Sequence, residues 1–161
     1  VGTKRNQVLD QANGKFVCFI DDDDMISAEY FDDVMNAIIQ NDDVDSIGFN
    51  GLYYVNEKPR MVFKHSSQFN DNRVLEKVFD NGGNYTGDKI VQYRKCNHLN
   101  PVRTTLAKQI RFNEISYGED SDYSTRLYES NLLKKETYID KILYHYLYSP
   151  NITETQAWHN Q

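Results

Sequence analysis

The stretch Phe16-Val-Cys-Phe-Ile-Asp-Asp-Asp-Asp24 decides how the rest of the chain is read. Its first five residues are a continuous apolar run with β-branched and aromatic members, the composition of a parallel strand covered on both faces. The run stops at four consecutive aspartates. Upstream, Thr3 is placed to cap a short helix whose apolar positions Val8, Leu9 and Ala12 share one face, with Gly14 where such a helix ends. Arg5 falls on that same face, so a basic side chain in the first turn points inward, toward a buried anion. Downstream, Ser27 caps a second helix with Phe31, Val34, Met35, Ile38 and Ile39 as its apolar stripe. A strand, an acidic turn and a helix in succession are an α/β signature.

Further along, Ser46 to Val55 and Arg60 to His65 read as two strands around the turn Asn56-Glu57-Lys58-Pro59. Val74, Leu75, Val78 and Phe79 predict a short helix, and Asn81-Gly-Gly-Asn84 a loop. Asn100-Pro101 predicts a helix start, since proline is welcome in the first turn, and that helix runs to Ile110. Gly118 precedes another start at Asp120 or Ser121, with Tyr123, Leu127 and Tyr128 facing inward. From Thr137 to Tyr148 the chain alternates, with Ile142, Tyr144, Tyr146 and Tyr148 on one face and Leu143, His145 and Leu147 on the other.

At 161 residues the chain has the length of one domain, enough to bury roughly 70% of its unfolded surface. With 39% hydrophobic residues, 26% charged residues, eight Gly and three Pro it is neither disordered, collagen-like nor low in complexity, although a mean hydropathy of -0.72 is polar. A net charge of -6 excludes the broad basic surface of a generic nucleic-acid binder. No apolar run approaches the roughly 18 residues of a membrane span, and no secretion signal opens the chain. The expectation is a cytoplasmic protein, free or peripheral to a membrane. Cys18 and Cys96 are far apart and outside any C-x-x-C or Cys/His cluster, so they read as plain thiols.

Four carboxylates in four residues repel one another unless water, a helix N-terminus or a cation relieves them. Ligands of open α/β sheets bind at the carboxyl ends of strands, where these acids lie. Oxygen ligands of this kind suit Mg²⁺ or Mn²⁺ and leave positions open for substrate phosphates. The plain alternative is that Asp22 and Asp24 charge the N-terminal end of the next helix. An EF-hand starting at Asp21 fails, because Ile26 and Asp32 stand where Gly and Glu are required. A phosphatase with Asp21 as nucleophile would expect Thr or Val at Met25. The second constellation is Gly118-Glu-Asp-Ser-Asp122, in which an aspartate at a helix start either accepts a proton from a hydroxyl or caps the helix. The third is His145 between two leucines, a core residue or a ligand.

Together these features resemble the inverting glycosyltransferases of family 2, which have the GT-A fold. The resemblance rests on Gly2-Thr-Lys-Arg-Asn6, on Ala12 to Asp24, on Ile110-Arg-Phe112 leading to Gly118-Glu-Asp120, and on Tyr144-His-Tyr146 with Pro150-Asn-Ile-Thr153. It implies an α/β fold, a Rossmann-like GT-A mixed sheet flanked by helices, with residues 1–161 as one domain. It implies that Asp21, Asp22 and Asp23 meet a nucleotide-diphosphate sugar with Arg5 reaching toward the nucleotide, that Asp23 and Asp21 hold Mn²⁺ or Mg²⁺, and that His145 adds a metal ligand. It implies Asp120 as the base that deprotonates the acceptor hydroxyl, with Glu119 orienting hydroxyls. Val1 falls at what would be the third stage of such a fold, so the resemblance also implies an N-terminally truncated domain that lacks the first nucleotide-binding βα units, and an open sheet edge suited to association. Two rival readings remain. One is a non-catalytic module that binds a glycan or a partner through some of its twelve tyrosines. The other is a metal-dependent phosphate-ester hydrolase.

Overall fold

The computed structural model describes residues 1–149. In chain order the elements are α1 (Gly2–Gln11), β1 (Phe16–Val17), β2 (Met25–Ile26), α2 (Tyr30–Gln40), β3 (Ser46–Val55), β4 (Lys58–Ser66), β5 (Asn72–Phe79), β6 (Tyr85–Lys95), β7 (Val102–Arg103), α3 (Thr104–Ile110), α4 (Glu119–Glu129) and β8 (Glu136–Tyr148). The strands form one mixed sheet. β3 lies at its centre, antiparallel to β4 and parallel to β8; β4 continues to β6 and then β5, and β2 adds to the far side of β8. Helices α1, α3 and α4 enclose a core of Leu9, Val102, Ala107, Phe112, Tyr123 and Leu127. A second core, under α2, joins Tyr30, Val34, Phe49, Leu143 and Tyr144.

Several expectations are corrected. The run Phe16–Ile20 is strand only at Phe16–Val17, and its partner β7 is antiparallel, with Phe16 opposite Arg103. β7 is short because Pro101, which has no N–H, precedes it and α3 follows at once, so little backbone is on offer beyond two residues. α3 likewise starts at Thr104 and not at Asn100. Residues 97–100 form a tight turn instead: the Asn100 N–H donates to the Asn97 carbonyl at 3.2 Å, and the Asn97 N–H to the Asn100 side chain at 3.0 Å.

α2 buries Tyr30, Val34 and Ala37, whereas Phe31, Met35 and Ile39 face outward at 63%, 51% and 70% exposure. The apolar stripe was wide enough for two faces, and Tyr30, whose hydroxyl reaches Cys18 Sγ at 3.4 Å, selects which one turns inward. Ser27 gives no side-chain cap, and α2 begins behind Glu29. Residues 72–79 form strand β5, not a helix, because β6 pairs antiparallel along their length. Their i, i+1, i+4 spacing fits a helix, but a neighbouring strand of Tyr, Thr, Val and Ile overrides local periodicity. Tyr128 is 39% exposed, so α4 buries Tyr123 and Leu127 without it.

The β3–β4 hairpin forms where expected, but its turn is only Asn56 and Glu57, with φ of 48° and 64°, the left-handed pair that matches strand twist, and Lys58 and Pro59, expected in the turn, already belong to β4. β8 pairs with β3 across two register shifts near Asn50, which leave neighbours Leu143 and Tyr144 both fully buried. Gly51 stands opposite Phe63, where a Cβ would run into the Phe63 ring.

Candidate active site

The Asp21–Asp24 segment is a turn, closed by the Asp24 N–H on the Asp21 carbonyl at 3.1 Å. It is fastened to β8 at three points. The Tyr144 hydroxyl accepts the Asp21 N–H at 3.2 Å and donates to Asp24 Oδ2 at 2.7 Å, and the Leu147 N–H donates to Asp24 Oδ1 at 2.9 Å. Asp24 is therefore an anchor. Burial pushes its carboxyl up to about 6; the two hydrogen bonds work against that, and repulsion from Asp23 and Asp21 adds to it.

Asp21 is held from two other directions. Arg5 donates to Asp21 Oδ1 at 2.8 Å and, with its second terminal nitrogen, to Glu119 Oε1 at 2.8 Å. His98 Nε2 lies 3.3 Å from Asp21 Oδ2. Burial works to raise the Asp21 carboxyl, but His98 and Arg5 outweigh it and hold the group down at about 2. The buried anion that Arg5 faces is thus a pair of the chain's own carboxylates. α1 is set for this by Asn6, which exchanges two 2.8 Å hydrogen bonds with the Phe112 backbone, and by Gly2, whose missing Cβ leaves room for the Asn113 carbonyl. The guanidinium also lies 5.6 Å from the Phe112 ring centroid. α4 contributes its first residues, Glu119 and Asp120, behind Gly118, whose φ of 75° allows the abrupt entry.

These parts surround a pocket of about 850 Å³ lined by Arg5, Asp21, Asp23, His98, Glu119 and Asp120. Of the expected site residues, Asp22 and His145 do not line it. Asp22 is exposed at the outer side of the turn. His145 sits opposite Leu52 in the β3–β8 register, one residue out of phase with Tyr144 and Tyr146, so it faces the other side of the sheet, where its Nδ1 meets the Tyr54 hydroxyl at 3.2 Å. Pro150-Asn-Ile-Thr153 lies outside the described residues. Asp23 is exposed, and neither its side chain nor that of Asp120 makes a hydrogen bond or ion pair among the described residues. Those residues contain no cluster of three or more His, Cys, Asp or Glu fit to enclose a metal ion. A single open carboxylate, Asp23, beside the engaged Asp21 suits a hard cation that takes its remaining ligands from substrate phosphate and water.

Other pocket residues were not assigned to the site from the sequence, although its alternation sets Tyr146 and Tyr148 on one face. His98 sits in the polar stretch Asn97 to Asn100 after a strand that was not foreseen. Tyr53, Tyr146 and Tyr148 line the pocket as a stack, with the Tyr53 ring 5.3 Å from Tyr146 and 6.3 Å from Tyr148, nearly parallel to both. Burial and the nearby Asp24, Tyr53 and Asp23 push the Tyr146 hydroxyl up to about 12.

A mixed sheet flanked by helices, with acids gathered in the turn between β1 and β2 and at the start of α4, defines a GT-A-type domain. The chain belongs to glycosyl transferase family 2, whose family model matches residues 1–114. It is 28% identical over 147 residues to the glycosyltransferase GlyA of Streptococcus pneumoniae serotype 4, covering 88% of this chain and 20% of that protein. In fold it is similar to S. aureus TarS, with a TM-score of 0.54 and 20% identity over 92% of this chain and 24% of that one. The 1–349 portion of TarS gives the same TM-score at 22% identity, over 91% of this chain and 40% of that one. The chain thus spans about one fifth of the curated relative's length. No helix among the described residues is long and apolar enough to cross a membrane.

Proposed function

We propose that this chain carries the metal and acceptor side of an inverting glycosyl transfer from a nucleotide-diphosphate sugar to an acceptor hydroxyl. The observation that carries the reading is that Asp23 and Asp120, 97 residues apart in the sequence, both open with uncommitted carboxylates onto one pocket. The acids next to them, Asp21 and Glu119, are tied to Arg5. In this reading Asp120 takes the proton of the acceptor hydroxyl as that oxygen attacks the anomeric carbon, a role worth roughly 10² to 10⁴ in rate. The C–O bond to the diphosphate breaks with its electron pair leaving on phosphate oxygen, and the anomeric configuration inverts. Asp23 would hold Mn²⁺ or Mg²⁺, which neutralises charge on the departing diphosphate. Arg5 fixes Asp21 and Glu119, holding the acidic turn and the start of α4 together. Asp21, the nucleophile that a phosphate-ester hydrolase would need, has both oxygens engaged, which favours transfer.

Thermal stabilisation by UDP, GDP, CDP and dTDP sugars, each with and without Mn²⁺, tests the reading. One nucleotide is expected to stabilise the chain only with Mn²⁺, by about 2.7 kcal/mol at 100 times its Kd, and Asp23→Ala is expected to abolish the effect. Absence of a Mn²⁺-dependent shift with every nucleotide would overturn it.

A further inference from the structure

The wall of the pocket away from the acids is cationic. Arg60, Arg73 and Arg94, from β4, β5 and β6, all line it. Their convergence follows from register. His65 is opposite Arg94, Phe63 opposite Gln92, and Gln92 opposite Arg73, so Arg73 and Arg94 emerge on the same sheet face as Phe63 and His65. Arg60 would alternate to the other face, but it is the extra residue of a β-bulge: Tyr53 pairs with Met61 and Tyr54 with Pro59, leaving Arg60 unmatched and free to turn toward the pocket. None of the three side chains makes an ion pair or hydrogen bond among the described residues. Elsewhere, in this chain of net charge -6, Arg5, Arg103, Arg111 and Arg126 each meet an aspartate or glutamate.

These arginines line the pocket from strands other than the one that anchors the acidic turn. The acidic turn is fastened over β8, and the strand order β8, β3, β4, β6, β5 sets Arg94 three strand intervals away and Arg73 four. Three intervals are about 14 Å between strand axes, so Arg73 and Arg94 stand well along the sheet from the turn that carries Asp23, with Arg60 on β4 nearer to it. Tyr53 on β3 and Tyr146 and Tyr148 on β8 line the same pocket, and aromatic rings there suit contact with a sugar.

Resting on the transferase reading, we propose that Arg60, Arg73 and Arg94 form an acceptor subsite for oxyanions, so that the acceptor is a glycan bearing phosphate or carboxylate groups. Guanidinium forks match either group bidentately, and three of them favour a chain that offers several charges in succession.

The test titrates the full chain at low salt with a short linear polyphosphate, an oligogalacturonate and the neutral maltoheptaose. The arms are wild type, the triple variant Arg60→Gln, Arg73→Gln, Arg94→Gln, and a control with the same change in net charge, Lys4→Gln, Lys77→Gln, Lys134→Gln, at exposed sites outside the pocket. One or both anionic probes should bind while maltoheptaose does not, and the arginine triple should weaken binding at least about tenfold with the lysine control near wild type. Whichever anionic probe binds identifies phosphate or carboxylate. The Mn²⁺-dependent nucleotide shift should persist in the arginine triple, which separates this subsite from the donor side. Equal weakening in both triples, no preference for anionic probes, or loss of the nucleotide shift in the arginine triple would overturn the proposal. Single variants read the same way if the triple does not fold.

Discussion

Residues 1–24 and 96–120 reach the pocket through side-chain bonds between segments far apart in the chain, whereas residues 58–95 reach it along backbone ladders. On the acid side Arg5 joins α1, the acidic turn and α4, Tyr144 and the Leu147 N–H hold that turn, and Asn6 holds Phe112. On the other side β4, β6 and β5 pair over long runs, and their pocket-facing arginines make no such ties among the described residues. Where side chains do the holding, the groups left over for chemistry are few and fixed. Where backbone does the holding, side chains are free to vary and so to set which acceptor is taken.

The sharpest way to break this contrast is Arg5→Met. It strands two partly buried carboxylates and is expected to cost about 3 kcal/mol in urea unfolding. Arg5→Lys should recover less than half, because an ammonium cannot serve both acids through a planar fork. If Arg5→Met unfolds at the wild-type midpoint, the clamp contributes nothing.

A second prediction concerns pH. His65, fully buried between Phe49 and Phe63, titrates near 3 when folded because of burial first and the nearby Arg94 and His98 next, against 6.5 as the ordinary value. The unfolded state therefore takes the proton first, and the stability present above 6.5 is lost as pH falls through 6.5 toward 3. At pH 5 the loss is about 2 kcal/mol relative to pH 8. His65→Leu should remove that part of the slope, so the gap between wild type and variant should narrow on acidification; an unchanged gap would count against it. The smallest effect is expected on the ladder side. Leu75→Thr, at an edge-strand position 71% exposed, should alter stability by no more than about 0.5 kcal/mol by thermal melt.

The acid side was legible because its signals are local. Four aspartates after an apolar run, Gly118 before Glu119, and Arg5 on the Leu9 face can all be read within a few residues. The wall was not. β5 became a strand only because β6 lies beside it, and the turn of Arg60 toward the pocket depends on a bulge that no spacing announces. The partners of Arg5 could not be read either, since Glu119 is 114 residues away and its approach depends on how α1 packs against Phe112. His145 was a ligand candidate chiefly through the resemblance; the alternation of β8 already set it on the face opposite Tyr144 and Tyr146, and the pocket lies on theirs.

The claim that Asp23 binds and Asp120 reacts within one pocket is tested most directly by measuring donor binding and nucleotide diphosphate release side by side in Asp23→Ala and Asp120→Asn, using the nucleotide sugar that stabilises the wild type. Asp23→Ala is predicted to lose Mn²⁺-dependent binding. Asp120→Asn is predicted to bind with unchanged affinity and release product roughly 10² to 10⁴ times more slowly. Wild-type release by Asp120→Asn, or undiminished binding by Asp23→Ala, would contradict the account.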